Sequence, residues 1–92
     1  MLKYDVIRTA SFKREFRKAI KRGYNRLLFE EVVSVLASGE TLAPKYHDHD
    51  LSGGWSGYRD CHITPDWLLI YKIEADKLIL VLAGTGTHSD LF

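Results

Sequence analysis

With only one cysteine, Cys61, the 92-residue chain can hold no internal disulfide framework, and a reducing cytoplasm is the expected compartment. No apolar run approaches membrane-spanning length. The greasiest stretch, WLLIYKI, is interrupted by Lys72. The opening MLKYDVIRTASFKREF has neither the apolar core nor the small-residue cleavage site of a secretory leader, so none is expected. Repeats, low-complexity tracts and linkers are absent too. The length suits one domain, residues 1–92, with a thin core.

Overall charge is also scarce, at +1, but its distribution is lopsided. Residues 1–26 hold nine of the thirteen Lys and Arg against two acids, and the remaining residues hold four against ten. Such asymmetry suits a basic surface that meets a polyanion or an acidic partner, although a merely solvated helix face reads the same way.

LKYDVI reads as a first strand with Leu2, Tyr4 and Val6 on one side. Ser11 is placed to cap a helix through FKREFRKAIKR, with Gly23 closing it. Phe12, Phe16, Ala19 and Ile20 share its inner face. Lys13, Arg14, Arg17, Lys18, Lys21 and Arg22 form a basic outer stripe. A second helix is expected over 25–38, with Leu28, Val32, Val35 and Leu36 inward. APKYHDHDLSGG is a polar loop. GYRDCHI, WLLIYKIE and KLILVLA then form an antiparallel meander joined by short turns. The fold class is α+β: an N-terminal strand, a two-helix hairpin and a meander, with both helices on one sheet face. That order leaves the other face free for a site.

All four histidines, His47, His49, His62 and His88, follow residue 46. His-x-His spacing is unspecific for a metal, and HExxH and CxxC are absent, so no metal and no cofactor is assigned. Cys61 lies out of phase with His62 on a strand and is expected in the core. General acid–base chemistry remains. Two imidazoles flanking an RNA phosphate can take one proton and give another, because the ribose 2′-hydroxyl supplies the nucleophile. The last residues, TGTHSDLF, place His88 and Phe92 where a chain frays unless it is tied down.

DHDLSGGWSGYRDCHITPDWLLIYKI followed by TGTHSDLF closely resembles the YafQ branch of the RelE/ParE superfamily of bacterial toxins, essentially from end to end. The resemblance implies a small sheet flanked by two helices, and a ribosome-dependent messenger RNA endonuclease toxin acting in the 30S A site. It leaves a 2′,3′-cyclic phosphate. The implied partners are the ribosome, messenger RNA and an antitoxin of the DinJ/RelB kind, with no membrane. His49, His62, Asp66 and His88 match the family's catalytic positions, with His49 and His88 as the proton-transfer groups. Trp67 and Phe92 match its aromatics and offer faces for an unstacked base, core packing being the equal alternative for Trp67. The basic stripe would dock on ribosomal RNA.

Position 84 departs from the pattern. The family's arginine before T-G-T-H is Gly84 here, which removes a group expected to hold the phosphate. Arg59 or Lys45 could substitute, or the chain is attenuated. A degenerate toxin that only binds antitoxin is a further reading. A gyrase-directed toxin of the ParE branch shares the fold but has no use for an acid–base set.

Overall fold

A computed structural model describes residues 2–92. β1 (Asp5–Arg8) leads into α1 (Ala10–Lys21) and α2 (Arg26–Ala37). Two 3-10 turns flank the short β2 (His49–Asp50). β3 (Arg59–Thr64), β4 (Trp67–Glu74) and β5 (Ile79–Gly86) follow, and a single turn of helix, α3 (His88–Leu91), ends the described chain. The strands form one sheet in the order β1-β5-β4-β3-β2. The meander is antiparallel as expected, but β1 crosses to lie parallel to β5, with Val6 opposite Leu80.

The N-cap of α1 is Thr9, not Ser11: its side chain accepts from the Phe12 N–H and its hydroxyl donates to the Leu82 carbonyl. Because β1 ends at Arg8, the helix must begin at once, and the strand partner fixes which hydroxyl caps it. Asn25 caps α2 through the Leu27 N–H. Its buried residues are Phe29, Val32, Leu36 and Ala37, so the inner face is turned toward Phe29 relative to expectation. The Phe29 ring packs on Phe16 at 4.6 Å and on Phe12 at 5.7 Å, giving the hairpin an aromatic centre.

This centre packs on one sheet face, made by Cys61, Ile63, Trp67, Leu69, Tyr71, Leu80 and Leu82. Asp60, His62, Leu68 and Ile70 alternate to the opposite face. A β-bulge on β5 resets which residues face the core. Tyr71 faces Leu82 but Ile70 faces Gly84, so Ala83 is an extra residue and the alternation changes phase. Thr85 therefore points inward, where its Oγ1 accepts from Trp67 Nε1 at 2.8 Å and donates to the Leu68 carbonyl at 2.7 Å.

Candidate active site

The face opposite the helices carries an open cleft of about 730 Å³. His49, Asp60, His62, Asp66, His88 and Phe92 all line it, so loop, strand, turn and terminal helix meet there. The structure thus brings His49 and His88, far apart in sequence, to one cavity.

Each side chain is placed by a local device. His49 stands on β2, paired with Asp60 across the ladder. Its Nδ1 lies 2.7 Å from the His47 carbonyl oxygen. A carbonyl only accepts, so Nδ1 carries the hydrogen and the neutral ring keeps its lone pair on Nε2. That Nε2 is 3.8 Å from Asp60 Oδ2. His62 is half-buried on β3 and packs against His47 at 5.4 Å between ring centroids. Asp66 sits in the β3–β4 turn, its Oδ1 accepting from Thr64 Oγ1 at 2.9 Å. His88 opens α3, and its ring meets Phe92 edge-on at 5.1 Å.

The loop before β2 is pinned from below. Arg59 donates through Nε to Asp48 Oδ1 at 3.2 Å and through Nη1 to Asp50 Oδ1 at 2.6 Å. The buried Tyr71 hydroxyl donates to the same Asp48 oxygen at 2.6 Å. Burial and this bond raise the Tyr71 phenol, and the Arg59 guanidinium is likewise held more firmly charged. Arg59 is therefore an anchor for the histidine loop, held there through Nε by Asp48 and through Nη1 by Asp50.

Sequence reasoning missed Asp60. It is 3 % exposed, and its Oδ1 is buried with no hydrogen-bond partner among the described residues. Burial pushes its carboxyl up from the ordinary aspartate value, while His49, His62 and His88 pull it down. One buried carboxylate thus lies within electrostatic reach of all three cleft histidines. The available signal was its period-two relation to His62, an acid on an interior strand of the meander.

Several expected site residues lie elsewhere. Trp67 is wholly buried, stacked on Tyr24 at 4.9 Å, so it has no face to offer a base and serves the core. Lys45 does not line the cleft, and its Nζ lies 5.1 Å from the centre of the Tyr46 ring. His47, which matches no position of the family pattern, is exposed, and its carbonyl and ring contact His49 and His62 respectively. Cys61 is buried and its thiol pushed up by burial, which leaves it inert. Among the described residues, no three His, Cys, Asp or Glu side chains group to hold a metal, and no helix is long and apolar enough to cross a membrane.

At Gly84 the bulge directs a side chain toward the cleft face. A Cβ there would lie 3.2 Å from Glu15 Oε1, 3.6 Å from Leu91 Cδ2 and 4.0 Å from Ile70 Cβ. Glu15 reaches the edge of β5 beyond the end of β1 and accepts from the Thr85 N–H at 3.1 Å.

A histidine-lined cleft on a small α+β sheet, closed by its own last helical turn, is the architecture of small bacterial toxins. The chain belongs to the YafQ family, described as bacterial toxins of type II toxin–antitoxin systems, whose model matches residues 4–92. It is 38% identical over 93 residues to the mRNA interferase toxin YafQ of Escherichia coli K12, spanning 100% of this chain and 99% of that one. The crystal structure of YafQ from E. coli BL21(DE3) superimposes with a TM-score of 0.90 at 36% identity, covering 97% of this chain and 98% of that one. A chain of the E. coli DinJ-YafQ toxin-antitoxin complex gives 0.88 at 36% identity, over 99% of each.

Proposed function

We propose that this chain is an mRNA endoribonuclease toxin that cuts in the ribosomal A site and is held in check by an acidic or amphipathic antitoxin segment. The observation that carries the reading is the meeting of His49 and His88 at one cleft around the buried Asp60. In the proposed reaction His49 Nε2 takes the proton of the ribose 2′-hydroxyl. The 2′-oxygen bonds to phosphorus, the bond from phosphorus to the 5′-oxygen breaks, and His88 gives that oxygen its proton. A 2′,3′-cyclic phosphate and a 5′-hydroxyl result, and no water, metal or covalent enzyme intermediate is needed. Asp60 holds the imidazolium that forms, Asp66 and His62 fix the substrate, and Phe92 offers a base its exposed ring. The exposed stripe of Lys13, Arg14, Arg17, Lys18 and Lys21 docks on ribosomal RNA.

The cleft lacks a cation over the phosphate, since Arg59 and Lys45 are engaged elsewhere. Loss of one such group typically costs about 10²–10³ in rate, so the chain is read as attenuated. Gly84→Arg is expected to raise cleavage by about that factor, because Glu15 Oε1 is the tip of a flexible side chain that can move aside and pair with the new guanidinium. Unchanged turnover in that variant would remove the attenuation argument. Gly84 also favours a second reading, a toxin homologue that only sequesters antitoxin.

Primer extension on messenger RNA in a translation extract, with and without ribosomes, separates these readings. Cuts that need ribosomes and vanish in His49→Ala and His88→Ala support the nuclease. Antitoxin binding without cuts, before and after Gly84→Arg, supports the sequestering module.

A further inference from the structure

The terminal turn that carries His88 and Phe92 is four residues long, too short to be stable by its own hydrogen bonds. Besides packing on β5, it is tied down through one carboxylate. Asp90 Oδ2 accepts from the Thr87 N–H at 3.0 Å, while Thr87 Oγ1 accepts from the Asp90 N–H at 3.1 Å, a reciprocal capping box. The same Oδ2 accepts from Arg22 Nη1 at 2.7 Å, a contact across 68 residues. Arg22 is the C-cap of α1, its backbone N–H bonded to the Lys18 and Ala19 carbonyls, so its Cα is fixed by the helix. Gly86 leaves the space this requires: at φ +157°, a Cβ would sit 3.0 Å from both Asp90 Cβ and Oδ2. The guanidinium holds the Asp90 carboxyl well below the usual carboxylate range.

We propose that Arg22 is a positioning residue of the active site: through Asp90 it fastens the terminal turn to the first helix and so aims His88 and Phe92 into the cleft. Arg22 thereby leaves the set of ribosome-docking cations and acts on the chemistry from the opposite side of the turn. The Phe92 N–H bond to the His88 carbonyl, at 2.9 Å, is the last link in this chain of contacts. The catalytic consequence rests on the nuclease reading above, whereas the clamp itself is measurable without activity.

The test uses Arg22→Gln, Asp90→Asn, the double variant and Arg22→Lys in the full chain. Amide hydrogen exchange at Asp90 and Phe92 reads the clamp. Each single Gln or Asn variant is expected to exchange several-fold faster at Phe92, the double variant no faster than the worse single, and Arg22→Lys close to wild type. On programmed ribosomes, kcat is expected to fall by about ten- to a hundredfold with KM within about twofold, because misplacement of a reacting group costs turnover and not docking. Unchanged exchange in Arg22→Gln overturns the clamp. Faster exchange with raised KM and unchanged kcat overturns the positioning role and returns Arg22 to the docking surface. If the wild-type chain cuts nothing, the nuclease reading falls and the exchange data alone decide whether the clamp exists.

Discussion

Replacing the buried acid by its amide, Asp60→Asn, should make the protein more stable and less active. The side chain is 3 % exposed and one of its oxygens has no hydrogen-bond partner among the described residues. An unsatisfied buried polar atom costs about 1–3 kcal/mol, more for a charged one, and nearby imidazoles return part of that. The amide has the same shape, carries no charge, and its NH₂ faces the lone pair on His49 Nε2, 3.8 Å from the present Oδ2. A gain of about 1 kcal/mol, or roughly 4–8 °C in Tm for a domain of this size, is expected at neutral pH. The sign with pH follows from the raised carboxyl. Between its unfolded and folded values the native state binds more protons, so stability falls as pH rises through that window. Below the window aspartic acid and asparagine should be equal, and the variant's advantage should open as pH rises. Carboxylates shifted the other way, such as Asp90, are common to both proteins and cancel in the difference. Thermal and urea unfolding of the pair from pH 4 to 7 measures it, with cleavage assayed on the same samples. A variant less stable than wild type at neutral pH, or a difference flat in pH, would refute the reasoning.

Other substitutions test other contacts. Trp67→Phe should cost about 2–3 kcal/mol, since a buried ring shrinks and Thr85 Oγ1 loses its indole donor, yet cleavage per folded molecule should stay near wild type. A specific loss of turnover at full stability would restore Trp67 to the substrate site. Tyr71→Phe removes the donor to Asp48 and should cost about 1 kcal/mol in urea unfolding, with a larger fall in cleavage because the His49 loop slackens. Unaltered cleavage would show that Arg59 alone anchors the loop. Neutralising Lys13, Arg14, Arg17 and Lys21 together should weaken ribosome binding and flatten its log–log salt dependence by up to about 3–4 units. A slope that does not move would place the docking surface elsewhere.

Amphipathic spacing reveals the two helices and the meander because each pattern is local. Their details were decided by distant partners. Thr9 outcompetes Ser11 as the cap because its hydroxyl also reaches Leu82. Phe29 joins the inner face, with Val35 only partly buried beside it, because the rings of Phe12 and Phe16 pack against Phe29. The parallel pairing of β1 with β5 joins residues more than seventy apart and leaves no local trace. In the cleft, His49, His62, Asp66 and His88 came from the resemblance to the YafQ toxins, which says which residues belong together but not how they face. Asp60 and His47 were overlooked because their importance lies in what they touch. Trp67 was ambiguous for the same reason: an indole at a strand start reads alike whether it meets a base or Tyr24.

Position 84 shows how one extra residue reconciles packing with chemistry. Strict alternation after Leu80 and Leu82 would send residue 84 into the core and residue 85 outward. The bulge at Ala83 reverses this, so Thr85 secures Trp67 inside while position 84 faces Leu91 and Ile70 on the cleft side. The same phase change places Gly86 beneath Asp90, where the terminal turn needs space. Strand β5 therefore holds the core with one face and aims the tail with the other. The histidine loop and the tail are each tied down by a guanidinium–carboxylate pair, Arg59 with Asp48 and Asp50 and Arg22 with Asp90. Asp60, on β3 between the central strand β4 and the histidine-bearing β2, lies between them. A cleft assembled in this way draws its histidines from distant parts of the sequence and is tied down by ion pairs that position 84 does not touch. On the proposed nuclease reading, glycine there leaves those anchors intact and should affect only contact with the phosphate.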